Sequence, residues 1–195
     1  MKNLKQKQKG FTLLETLVAI FILMLALNSL FSLTTNNFFA AKYAKNESTS
    51  IYLTQEAIDY IRNDRDSIAF QGVHDWNTFL SHYGDYNTGT GCYSINGCTI
   101  DATDWNFGSS VEECTQVPPD FGVVPCKTFF LNDSSLTGSY YTYTYQPTNQ
   151  STTKMKRQIK MVYNGSELFI TVNLEWLNGE VPRTTSLNAS LLQWQ

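Results

Sequence analysis

The chain has 195 residues, 14 Lys+Arg against 17 Asp+Glu, a formal net charge of −3 and only 16% charged residues. That length suits one domain, or one small domain with an extension, and the balance excludes a disordered polyelectrolyte and a strongly basic nucleic-acid binder. A single long apolar run excludes a polytopic membrane protein, and four cysteines in an aromatic-rich, charge-poor body read as secreted or surface-exposed.

Lys2, Lys5, Lys7 and Lys9 precede the first acid, Glu15. Without residues 1–10 the remainder keeps 10 positive and 17 negative side chains, a net of −7, so a basic start is joined to an acidic body. Residues 11–33 form a 23-residue, mostly apolar run. As a helix it spans about 35 Å, enough for a bilayer core. The lysine flank stays in the cytoplasm and the body goes outward. A secretory signal peptide is the competing reading, but its apolar region is usually about 7–15 residues and ends in a small-x-small site, and no convincing Ala-x-Ala follows here. Inside the run lies Glu15. An ionised acid within a transmembrane helix costs roughly 2.5–3.5 kcal/mol, which makes a functional role its first reading and a headgroup-zone position the alternative.

The order Lys9-Gly10-Phe11-Thr12-Leu13-Leu14-Glu15 resembles the type III signal of type IV prepilins and type II secretion pseudopilins. That signal is a short basic leader ending in Gly, then Phe, then a Glu, then an apolar helix. The resemblance is close over residues 1–35. It implies that prepilin peptidase cuts after Gly10 and that the new amine of Phe11 is methylated. Gly10 suits a protease site because it lacks a side chain and extends easily. It further implies that Glu15 pairs with the terminal amine of an assembled neighbour. The implied partners are other pilin or pseudopilin subunits, the peptidase and the inner-membrane assembly machinery. The implied location is a single-pass inner-membrane state followed by a periplasmic or cell-surface fibre. No cofactor is implied. Major pilins usually carry a Pro and an upstream Gly in the run; Ser32 and Met24 stand there, which points to a minor subunit.

The helical pattern continues past Leu33. Ile51, Ile58 and Ile61 share one face, and no Gly or Pro interrupts residues 12–71. One helix of about 55 residues is expected, ending near residue 66, apolar all round over 11–33 and amphipathic over 34–66. The fold class is therefore α+β, with the long helix laid on a head formed by 67–195, the lollipop organisation of pilins. Residues 75–84 predict a short helix with Asp75 as N-cap and Gly84 as its end. Residues 84–138 read as a loop region with short strands. Residues 139–195 read as an antiparallel meander over 140–145, 157–163, 167–177 and 181–187, with Asn164-Gly165 and Asn178-Gly179 as hairpin turns. In the third strand Leu168, Ile170, Val172, Leu174 and Trp176 face the helix, and Phe169, Thr171, Asn173 and Glu175 face away. The ending around Trp176, Asn178-Gly179 and Trp194 also resembles the minor pilin V and pseudopilin I group.

Cys92, Cys98, Cys114 and Cys126 allow three pairings. Sequence-adjacent pairing closes the smallest loops, worth ~2.4 and ~2.9 kcal/mol by chain entropy. Zinc needs tighter paired spacings than these. His74 and His82 with Asp75 and Asp85 are a weak metal or acid/base candidate, and Asp101, Asp104, Glu112 and Glu113 fit no calcium-loop template. Lys154, Lys156, Arg157 and Lys160 read as an exposed strand edge kept soluble by charge, with DNA contact as the alternative. Two functions remain: a structural minor subunit of a pilus or pseudopilus, or a pilus-tip binding module, adhesin or DNA-uptake receptor, using loops 84–156. Nothing in the sequence supports an enzyme.

Overall fold

The computed structural model describes residues 12–72, 75–103, 110–115, 122–132, 142–144 and 151–193. Gly10 and Phe11, the leader 1–10, His74 and Asp104 lie outside the described residues. The chain divides into two compact units, Met1–Lys45 and Asn46–Gln195.

One helix, α1, runs Leu13–Phe70, 58 residues or about 87 Å. It is four residues longer at its C-terminal end than the sequence pattern suggests, and stops where Gln71-Gly72 turns with Gly72 at φ 74°. In the first unit no described residue except Tyr43 is even half-buried. Four hydroxyls there are satisfied within the helix. Thr16 Oγ1 donates to Leu13 O, Ser29 Oγ to Ala26 O, Thr34 Oγ1 to Leu30 O and Thr35 Oγ1 to Phe31 O, all at 2.8–2.9 Å.

The second unit packs the rest of α1 against a sheet. Its buried stripe is Ser50, Leu53, Thr54, Ala57, Ile58, Ile61, Asp64 and Ile68. Ile51 corrects the expected face: it remains 42% exposed, because the stripe passes through Ser50 and Leu53 instead. A short helix, α2, spans Trp76–Ser81, with the Asp75 carboxylate accepting from Asn77 N at 3.0 Å. It ends on a right-handed residue, His82, so Gly84 is not its terminator. Gly84, at φ 119°, is needed instead because a Cβ there would strike the Thr90 carbonyl.

Seven strands follow: β1 Cys98–Ile100, β2 Val111–Glu113, β3 Thr128–Asn132, β4 Thr142–Thr144, β5 Ser151–Tyr163, β6 Glu167–Asn178 and β7 Val181–Leu192. All pairings are antiparallel. β5 is the centre: β6 lies on one edge, and β1 and β3 share the other. One expectation is corrected here. β4 pairs with β3 and not with β5, so the meander is β5-β6-β7 only. The short strands expected within 84–138 are β1, β2 and β3, and they belong to the same sheet. The β6–β7 turn consists of Gly179 and Glu180, since Asn178 already pairs with Val181. Gly179 takes φ 67° at its first position, as such two-residue turns require.

The core joins Ala57, Ile58, Ile61 and Ile68 to Trp76, Phe79, Leu80 and Tyr83, and to Ile159, Leu168, Ile170 and Val172 of the sheet. The predicted inward set of β6 is buried throughout. Glu175 departs from the outward set. It is 1% exposed, and its carboxylate accepts from Val123 N and Val124 N at 3.0 Å, holding the loop before β3 across that face.

Candidate functional site

The N-terminal segment is the candidate site. From Leu13 to Phe39 the large apolar side chains are exposed, with Leu13 at 83% and Phe31 at 70%. This helix is long and apolar enough to cross a membrane, and none of its most apolar stretch is buried. No interior holds these side chains in water, so the segment requires lipid or other helices around it.

Glu15 stands in the first turn of α1. Its amide donates to Thr12 O at 3.0 Å and approaches Thr12 Oγ1 at 3.3 Å. Thr12 and Glu15 therefore have the spacing of a capping box, a second reason for an acid here that the residue order already contained. A carboxylate at this end also lies on the favourable side of the helix dipole.

The cysteines are joined Cys92–Cys98 and Cys114–Cys126, with Cα separations of 4.5 and 4.7 Å. The first bond ties a 3₁₀ turn, Gly91–Tyr93, to β1 inside the core. The second ties the end of β2 to the segment entering β3, in a small buried cluster with Val124.

The other sequence candidates are dispersed. His82 turns away from Asp75 and Asp85. Its Nδ1 lies 3.0 Å from the Asp64 carboxylate of α1, which also accepts from the Tyr83 hydroxyl at 2.8 Å. Burial pushes the Asp64 carboxyl above its ordinary range, and the bonds from His82 and Tyr83 bring it part of the way back. Burial, then the neighbouring Asp64 charge, pushes the Tyr83 phenol well above its own. Asp85 caps its own turn through Asn87 N. Asp101 accepts from Thr103, Glu112 pairs with Lys127, and Glu113 accepts from Gly91 N. No group of residues able to hold a metal occurs among the described residues.

The basic cluster is also corrected. It lies on the central strand β5 and not on an edge. Arg157 is fully buried: it donates to Leu53 O and Glu56 of α1 at 2.7 and 2.9 Å, and to Ile100 O of β1 at 2.7 Å, with its guanidinium 4.9 Å from the Phe129 ring. Lys156 is 3% exposed. The cluster therefore presents no continuous cationic surface, and its arginine is a core fastener that a linear count of charges cannot distinguish from a surface group.

The family model of the prokaryotic N-terminal methylation motif matches residues 5–27. No curated protein and no solved structure matches the chain. The matched segment contains Lys5, Lys7 and Lys9 of the basic leader, Gly10, Phe11, Glu15 and the first part of the apolar run. The chain therefore carries a prokaryotic N-terminal methylation motif at the head of a long helix, with an antiparallel sheet behind it, the arrangement that the resemblance to type IV pilins and pseudopilins implies.

Proposed function

We propose that the chain is a minor structural subunit of a type IV pilus or type II secretion-type pseudopilus, cut by prepilin peptidase between Gly10 and Phe11 and methylated on Phe11. The carrying observation is the methylation motif leading directly into a helix whose apolar surface has no covering among the described residues. In this reading residues 11–33 sit in the inner membrane with the lysines in the cytoplasm, and then move into a fibre of parallel helices. The role is architectural and not catalytic.

Glu15 sets the register. Cleavage leaves an ammonium on Phe11, one helical turn from Glu15. Inside an apolar fibre an unpaired carboxylate and an unpaired ammonium are both costly. Pairing the acid of an incoming subunit with the amine of its neighbour relieves both, and only one axial stagger brings them together.

Two measurements test this. Intact mass of the native protein should equal residues 11–195 plus one methyl group; a chain retaining its leader sinks the reading. Glu15→Ala should still be cleaved and inserted, while its share in sheared fibres drops by about tenfold or more, the loss expected for a desolvated charge pair worth roughly 1.5 kcal/mol or more. Thr12→Ala separates the two roles of this turn. It removes the cap but keeps the acid, and should leave fibre incorporation near wild type.

A further inference from the structure

The sheet has three outer edges among the described residues. β2 is three residues long and carries Glu112 and Glu113, and β4 is three residues long. Such short or charged edges resist pairing with other chains. β7 differs. It runs twelve residues, pairs only with β6, and beyond Arg183 carries no charge as far as Leu192.

The hydrogen-bond phase of that edge follows from its turn. Asn178 and Val181 flank a two-residue turn, so they exchange both backbone bonds. The register to Leu192 is unbroken, and alternate residues repeat the pattern. Arg183, Thr185, Leu187, Ala189 and Leu191 therefore commit their backbone groups to β6. Thr184, Ser186, Asn188 and Ser190 point theirs outward. Pro182 shares that outward phase, which explains how a proline is accommodated without disturbing β6. It guards the first position only.

Beside this edge, on the helix side of the sheet, lies a groove of about 400 Å³ lined by Gln55, Ile58, Asp59 and Arg62 of α1 and by Leu187, Asn188 and Ala189. Past one end of it α1 meets β7 directly, where the Ser50 and Thr185 hydroxyls lie 2.6 Å apart. A strand laid along Thr184–Ser190 would have one row of side chains over this groove of mixed polarity, where Leu187 and Ala189 lie beside Gln55, Asp59 and Arg62, and the other row in solvent.

We propose that β7 is a strand-acceptor edge: it binds an extended segment of a different polypeptide, proline-free over about eight residues, with side chains small enough for the groove at alternate positions. The evenly spaced outward backbone groups select an extended backbone, and the groove selects the alternation. The preference for a foreign strand over a second β7 rests on the membrane reading above. An antiparallel β7–β7 pair relates two copies by a twofold axis and opposes their α1 helices, whereas copies anchored in one membrane by the same helix run parallel.

The test uses the full chain in detergent micelles and a blocked eight-residue peptide of alternating Thr and Val, at ~1 mM, a level that detects weak binding. Residue-resolved amide exchange is the readout. With peptide, the amides of Thr184, Ser186, Asn188 and Ser190 should slow by about tenfold, while those of Thr185, Leu187 and Ala189 change little. N-methylation of alternate peptide residues should abolish the effect in one phase and spare it in the other, which general stickiness would not do. Ser186→Pro should lose the peptide response, with the Thr185 and Leu187 amides as protected as in the parent to show that the hairpin is intact. Three results overturn the proposal: no slowing with peptide, outward amides protected at every dilution without it, or protection that grows with protein concentration alone, which would assign the edge to a second copy. None of these depends on cleavage after Gly10, so the edge can fail while the subunit reading stands.

Discussion

The two halves of α1 share one uninterrupted backbone and have opposite relations to their surroundings. Over Leu13–Phe39 no side chain is buried; over Ser50–Ile68 every third or fourth one is. The first half bonds the hydroxyls of Thr16, Ser29, Thr34 and Thr35 to its own carbonyls and leaves its apolar surface exposed. The second half owes its place to the sheet. Helix formation alone therefore does not define the folded domain. The packing that stabilises the head begins near residue 50, well after the chain has turned polar at Thr34-Thr35-Asn36-Asn37.

Breaking the fastener between the second half and the sheet should have the largest effect. Arg157→Ala removes the donor to Leu53 O, Glu56 and Ile100 O, and should destabilise the head by about 3–5 kcal/mol in urea unfolding of the detergent-solubilised chain. A loss under about 1 kcal/mol would mean that the buried guanidinium is dispensable. A matched pair of truncations sharpens the contrast. Ile61→Ala, fully buried, should cost about 2–5 kcal/mol, whereas Leu23→Ala, 58% exposed, should change head stability by under about 0.5 kcal/mol. Equal losses would show that the first half is part of the same cooperative unit.

The smallest effect concerns pH. The folded Asp64 carboxyl is raised, so the folded state holds its proton more tightly than the unfolded chain does. The stability it contributes is full below the unfolded value near ~3.9 and is lost as pH rises through the folded value. Asp64→Asn removes this titration. Across about pH 3 to 6 the wild type should lose stability relative to the variant as pH rises, a slope opposite to that of the exposed cap Asp75, whose carboxyl is held below its ordinary range by Thr78 and the Asn77 amide. A wild-type-minus-variant difference independent of pH would mean that burial of Asp64 does not disfavour its charge.

Where the sequence was readable, the signal was local. The absence of Gly and Pro from 12 to 71 sets the helix, alternation from Leu168 to Trp176 sets the inward face of β6, and the leader, Gly10 and Glu15 set the motif. What escaped depends on partners distant in sequence. Arg157 looks like any strand lysine neighbour until Leu53, Glu56 and Ile100 surround it. Glu175 fits an outward alternation, yet a loop 52 residues upstream closes over it. β4 alternates Tyr and Thr as an edge of a meander would, but its partner is β3, and no local pattern states which strand will be adjacent. Ile51 sits in phase with Ile58 but one position off the stripe, because Ser50 and Thr185 meet there. The capping-box spacing of Thr12 and Glu15, in contrast, was present in the residue order and was obscured by the stronger family signal.

The inward-turned hydroxyls of Thr16, Ser29, Thr34 and Thr35 bear on the cost of relocation. A transmembrane segment that uses its polar groups to grip neighbouring helices must release those grips to leave, and each released group then seeks a new partner in hydrocarbon. At these four positions the hydroxyl's partner is a carbonyl three or four residues back, and it travels with the helix. For them, exchange of lipid for protein surroundings is a trade of one apolar contact for another, nearly neutral in free energy and requiring no hydrogen bond to be broken on the way. At these four positions the helix is in this sense portable, because it carries its own hydrogen-bond partners with it.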